Sequence, residues 1–93
     1  MVIGLLRIDL LIPNCNSLKD KRSVIKKHLH YLRKTYNVAV AETGNQDLWN
    51  RAEFSFITIN SLKDSVERTL RQILSELDHS DDLEVIGEKR ELL

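Results

Sequence analysis

One pentapeptide occurs twice in this chain, as Asn16-Ser17-Leu18-Lys19-Asp20 and as Asn60-Ser61-Leu62-Lys63-Asp64. Each copy follows a strand-like run and opens a run with helical spacing. Asn, Ser and Asp all favour the first turn of a helix, where free N–H groups need oxygen acceptors and the helix dipole is positive. Helix-start chemistry alone can therefore produce such a match. Two copies in the same context nevertheless divide the chain into two strand–helix units. At 93 residues it holds one domain with one modest core.

In the first unit Leu6, Ile8, Leu10 and Ile12 point one way, and Leu5, Arg7, Asp9 and Leu11 the other. That period of two marks a strand with one buried face, which Pro13-Asn14-Cys15-Asn16 ends. Leu18, Ile25, Leu29, Leu32 and Tyr36 then share a narrow helical stripe, broadened on one side by Val24 and Tyr31. Asn16 or Ser17 is placed to cap this helix, with Asp20 in its first turn. Asn37 is placed to close it in the left-handed conformation, ahead of the small-residue strand Val38-Ala39-Val40-Ala41. Thr43-Gly44-Asn45-Gln46-Asp47 reads as a loop, and Phe54 to Ile59 as a third strand.

A second helix runs from about Leu62 to Leu77, with Leu62, Val66, Leu70, Ile73, Leu74 and Leu77 on its buried face. His79-Ser80-Asp81-Asp82 breaks it, Leu83 to Ile86 begins a fourth strand, and Gly87 suggests a bulge or bend. The order βαββαβ predicts an α+β ferredoxin-like, split βαβ sandwich over residues 1–93. Both helices then lie on one face of a four-stranded antiparallel sheet.

Charge is distributed unevenly over that plan. The chain is formally neutral, yet Lys19 to Lys34 holds seven of the fourteen Lys and Arg residues and one of the fourteen acids. This segment is strongly cationic and the remainder equally anionic, so the molecule is electrically polar. On a helical wheel Lys19, Arg22, Lys26, Lys27, His30, Arg33 and Lys34 fill one arc of roughly 140° beside the buried stripe. Lys19, Lys26 and Arg33 recur every seven residues, a line about 21 Å long. Phosphates of a nucleic-acid strand can be met along such a line. The competing reading is a solvated face whose partners are the acids of the second helix and the C-terminal segment. Ordinary exposed helices mix signs for i,i+4 pairing, and this one scarcely does.

Other chemistry finds little support. The single cysteine, Cys15, forms no internal disulfide and fits a reducing compartment. Met1 to Ile12 lacks a basic start and is interrupted by Arg7 and Asp9, which argues against a signal peptide; the expected location is the cytoplasm, without a membrane span. Heavy-metal domains of this fold use a cysteine pair after the first strand, and the second cysteine is missing here. His28 and His30 point to different sides of one helix and do not converge on an ion. Acylphosphatases of this topology need a glycine-rich cradle with an arginine after the first strand, where this chain has Pro13-Asn14-Cys15-Asn16. No catalytic residue, metal or cofactor is therefore expected, and a small phosphate-handling enzyme ranks third among the readings.

The uncovered sheet face offers the runner-up from a different class, a homo-oligomeric interaction module. RNA-recognition domains carry stacking aromatics on that face. Arg51-Ala52-Glu53-Phe54-Ser55-Phe56-Ile57 resembles part of such a motif, but the first strand has no aromatic, so Phe54 and Phe56 are expected as core or subunit-contact residues. Leu5, Leu11 and the alanines of the second strand make the face partly apolar and suit it to a homodimer. Trp49, the only tryptophan, lies in a polar segment with Gln46, Asp47 and Arg51. Its ring is expected to fold back over the core edge; the alternative is an anchor for a partner protein or a base.

Four segments together resemble the YlxP-like family of small bacterial proteins. They are Met1-Val2-Ile3-Gly4, Ser17-Leu18-Lys19-Asp20-Lys21-Arg22-Ser23-Val24, Gln46-Asp47-Leu48-Trp49-Asn50-Arg51-Ala52 and Arg90-Glu91-Leu92-Leu93. The resemblance spans the chain, with Asp20 where the family tends to have Glu. It implies a ferredoxin-like fold, a cytoplasmic bacterial protein and no established activity. Its genes often lie among those for translation initiation and ribosome maturation, an association that points toward the ribosome. The expected role is binding of structured RNA or a ribosomal subunit through the first helix, without catalysis. The two internal motifs form one surface if the fold brings them to the same end of the sheet.

Overall fold

The inward residues of the first strand organise the molecule, because that strand is paired on both edges and covered by helices. The computed structural model describes all of residues 1–93. It runs β1 (Val2–Leu11), α1 (Leu18–Thr35), β2 (Val38–Gly44), β3 (Arg51–Asn60), α2 (Lys63–Asp78) and β4 (Glu84–Leu92). The strands lie in the order β2-β3-β1-β4, each neighbouring pair antiparallel. β1 pairs with β3 from Val2↔Asn60 to Leu11↔Arg51, and with β4 from Gly4↔Leu92 to Leu11↔Glu84. This is the expected ferredoxin-like sandwich. Neither helix is long and apolar enough to cross a membrane.

Alternation along β1 sends Leu6, Ile8, Leu10 and, just beyond it, Ile12 into one core. Ala52, Phe54 and Phe56 of β3 join them, with Ile25 and Leu32 of α1 and Val66, Leu70, Ile73 and Leu77 of α2. Phe54 and Phe56 are thus core residues, and the open face of the sheet carries no aromatic platform. Gly4 marks where α2 crosses β1 most closely. A Cβ there would stand 2.4 Å from Val66 Cγ1 and 2.9 Å from Leu70 Cδ1, inside van der Waals contact.

The repeated pentapeptide starts the two helices differently. In the first copy Ser17 is the N-cap: its Oγ accepts from the Asp20 N–H at 3.1 Å, while the Asp20 carboxylate accepts from the Asn16 N–H at 3.3 Å. In the second, Asn60 Oδ1 accepts from the Leu62 N–H at 3.0 Å and the helix begins one position later. Leu62 is therefore an exposed cap residue and not part of the buried stripe.

Other boundaries also shift from expectation. β2 continues to Gly44 because Gly44 still pairs with Glu53 beyond a bulge at Thr43, so the loop spans only Asn45 to Asn50. Asn37 is not left-handed; Tyr36 ends α1 in extended backbone, and Asn37 instead donates from Nδ2 to Ile59 O at 3.2 Å. The left-handed residues are Asn14 and Asn45, both in tight reversals. β4 carries a bulge where Asp9 faces Gly87 and Leu10 faces Val85, leaving Ile86 extra. The strand then runs to Leu92 through charged residues with no apolar rhythm, suited to an edge exposed to water.

Gly4→Ala should destabilise the fold by about 1–3 kcal/mol, the usual cost of overpacking. Urea titration should show a lower midpoint with an unchanged slope, since the denatured chain is not altered in compactness.

Candidate nucleic-acid interface

The apolar stripe of α1 docks on the sheet and leaves the opposite side to solvent. Lys19, Arg22, Lys26, Lys27, His30, Arg33 and Lys34 are all exposed there. Only Lys27 has a carboxylate partner, Asp82 at 2.7 Å. The acids of α2 do not neutralise the arc: Glu67 lies 3.7 Å from Lys63 and 3.9 Å from Arg71 within its own helix, and Glu76 accepts from Tyr31 Oη at 3.0 Å. Arg33 leans toward the free edge of β2 and donates to Val40 O at 3.5 Å. Arg22, Lys26, His30 and Arg33 line a shallow groove of about 440 Å³ floored by Ile25 and Leu29.

One cation of the helix is withdrawn from this surface. Lys21 is only 3% exposed. Its Nζ donates to Asn45 O at 2.9 Å and Leu48 O at 2.7 Å, and lies 2.8 Å from Glu42 Oε2. A buried ammonium needs such a set, because charge leaves water at a cost only close acceptors offset. Lys21 thereby joins the helix-start motif to the loop after β2, and the two internal motifs do meet at one end of the sheet. Composition hid this residue among the seven Lys and Arg residues of the segment. Its signal was periodicity: Lys21 stands three residues after Leu18 and four before Ile25, on the buried stripe.

The loop is held by its backbone and not by its indole. Gln46 Nε2 donates to Glu42 O at 2.9 Å, the Leu48 N–H to Asn45 O at 3.1 Å, and the Ile12 N–H to Asn50 O at 2.8 Å. With these attachments and Lys21 in place, Trp49 remains 44% exposed and Leu48 45%. The expected burial of Trp49 over the core edge is corrected accordingly. Asp47 and Arg51 are exposed beside it, without ion-pair partners.

At the other side of the arc, Asp82 in the turn before β4 receives Lys27 Nζ on Oδ2 and His28 Nε2 on Oδ1, each at 2.7 Å, and Ser80 Oγ on Oδ1. Burial pushes the Asp82 carboxyl up, but the hydrogen bonds from Lys27, Ser80 and His28 outweigh it and hold the group well below the usual carboxylate range. Ser80, His28 and Asp82 have the composition of a nucleophilic triad without its geometry. Serine and carboxylate both address His28 Nε2, whereas a triad needs them on opposite ring nitrogens. The cluster pins the α2–β4 turn to α1. Sequence offered no means of choosing Asp82 over Asp81, because the partner lies 54 residues away.

Lys21→Met should cost about 3 kcal/mol, the low end for breaking a buried pair because Glu42 keeps some access to water. The fluorescence anisotropy of Trp49 should fall as the loop loses its tether. Asp82 has a lower pKa folded than unfolded, so its contribution is full above pH about 4 and is lost as pH falls below that. Asp82→Asn should therefore remove about 1 kcal/mol near neutrality, discounted for partial exposure, and flatten the acid limb of a stability–pH profile.

Comparison with known proteins places these features in a family. The family model "Protein of unknown function (DUF503)" matches residues 3–90, which include Lys21, the basic arc and the Trp49 loop. The uncharacterized protein YlxP of Bacillus subtilis (strain 168) is 31% identical over 83 residues, spanning 89% of this chain and 90% of that protein. Among solved structures, a variant of SnoaB, a cofactor-independent oxygenase from Streptomyces nogalater, superposes with a TM-score of 0.51 over 99% of this chain and 90% of its own. At 8% identity that likeness is one of fold alone. Family model and relative agree over nearly the whole chain, which belongs to the DUF503 family of proteins of unknown function.

Proposed function

We propose that this protein binds structured RNA, free or within a ribosomal particle, through the exposed arc of α1. One observation carries the reading: five of the six Lys and Arg residues of the arc have no carboxylate partner, although the chain contains as many acids as bases. A solvated face in a neutral protein relaxes toward mixed pairs, as Lys63, Glu67 and Arg71 do on α2. An unpaired stripe of Lys and Arg about 21 Å long instead concentrates positive potential, which draws a polyanion and adds affinity by releasing its counterions. The role needs no catalytic group.

A second reading seats another copy of the chain on the open sheet face. Ile57 and Ile59 are exposed there and favour it. The centre of that face is polar, with Arg7 4.0 Å from Glu53 and Thr43 Oγ1 bonded to Glu53 and Ser55. Such a centre weakens the case for a large dry contact.

Charge reversal at Lys19, Lys26 and Arg33 should change stability by no more than about 0.5 kcal/mol per site. RNA or ribosome binding measured by filter retention or cosedimentation should collapse. Affinity of the parent protein should fall with salt by roughly 0.7 to 0.9 log units per log unit for each phosphate neutralised. Binding that ignores salt and survives the triple reversal would transfer the assignment to the open sheet face.

A further inference from the structure

We infer that Trp49 stacks an unpaired base of the RNA whose backbone lies on the arc, so that the ligand carries a single-stranded loop, bulge or end and is not uniform duplex. This rests on the assignment of the arc to RNA and adds the ligand's class.

Placement comes first. Lys21 ties the carbonyls of Asn45 and Leu48 to the opening turns of α1, so the Trp49 loop and the first arc residues share one end of the molecule. Arg22 follows Lys21. It lies on nearly the same side of α1 as Arg33, eleven residues and about three turns later. Arg33 reaches Val40 O on the free edge of β2, which fixes that side as the one overlooking β2. β2 in turn runs directly into the Trp49 loop. The groove lined by Arg22, Lys26 and Arg33 therefore follows the β2 edge toward the loop.

Chemistry and rigidity complete the argument. Trp49 and Leu48 stay about half exposed, while the backbone around them is fixed by Lys21, Gln46, the Leu48 N–H and the Ile12 N–H. An aromatic held out on a braced loop has already met the ordering cost of binding. The opening turns of the helix carry Lys19 and Arg22 against the single acid Asp20, Glu42 is neutralised by Lys21, and the loop itself holds one exposed charge of each sign, Asp47 and Arg51. Cations for phosphates with an indole at their end form the arrangement by which single-stranded nucleic acid is held, since every base presents a π-face. The open sheet face, where this fold class places its stacking aromatics, has none. Of the two exposed aromatics, Tyr31 is tied by its hydroxyl to Glu76 of α2, which leaves Trp49.

The test uses the full-length protein with a stem-loop RNA and with a blunt duplex of equal charge. Trp49 is the only tryptophan, so its emission reports the contact directly. The stem-loop should quench that emission at saturation and the duplex should not. Trp49→Ala should weaken stem-loop binding about 5- to 150-fold, the equivalent of one stacked base, and leave duplex binding unchanged. Trp49→Phe should recover most of the loss, and unchanged circular dichroism and urea midpoint should show each variant folded. Stem-loop binding that disappears in the Lys19, Lys26 and Arg33 triple reversal, yet neither alters Trp49 emission nor responds to Trp49→Ala, would overturn this inference and leave the arc assignment standing. No RNA binding by the parent protein would overturn both. A protein ligand captured through Trp49 while RNA binding is indifferent to it would likewise overturn the stacking role.

Discussion

The ammonium of Lys21 stands near the N-terminal end of α1, where the helix dipole already disfavours a cation, and it is almost wholly out of water. Two loop carbonyls and the Glu42 carboxylate make that position tenable, and they do so only with the loop after β2 folded onto the helix. The interaction is consequently conditional in both directions. Without the loop, Lys21 would be a buried unpaired charge; without Lys21, Asn45 and Leu48 would lose the acceptor role that sets their orientation. A hydrocarbon side chain could fill the space but would impose no direction on the loop. The exposure of Trp49 follows from that direction.

Electrostatics elsewhere obey a complementary rule. The neutralised cations of α1 are Lys21, on the buried stripe outside the arc, and Lys27, at the arc's margin against Asp82. Those two pairs fasten the helix to the β2–β3 loop at one end and to the α2–β4 turn midway along. The residues between them make no such attachment. Structural work is thus assigned to one cation off the arc and one at its margin, and the rest of the arc is left with a field uncompensated by short-range partners.

The fold was legible because its determinants are periodic. Alternation in β1, the stripes of both helices and the duplicated helix start each repeat over enough residues to be read without tertiary knowledge. The charged arc was legible for the same reason. What escaped were single long-range contacts. Trp49 was expected to cover the core edge because a free indole favours burial, yet backbone bonds to Lys21 and Ile12 settle the loop first. Asn37 had the composition of a left-handed cap, but a bond across to Ile59 holds it in register with β3 instead. The length of β4 was hidden because its last residues contribute backbone pairing to β1 and almost no apolar surface.

The central place of β1 sets the order in which the molecule can be completed. It is made before both of its partners: Leu11 waits for Arg51, and Gly4 waits for Leu92. Meanwhile α1 forms from local contacts alone, carrying its cations on a chain that has no sheet to rest on. Long-range antiparallel closure of this kind is slow relative to helix formation. Until β3 and β4 have emerged, Leu5 to Ile12 presents an apolar strand with both edges open, the state in which nascent chains associate wrongly. The segment that organises the finished protein is therefore the one that spends longest during synthesis with its edges unpaired.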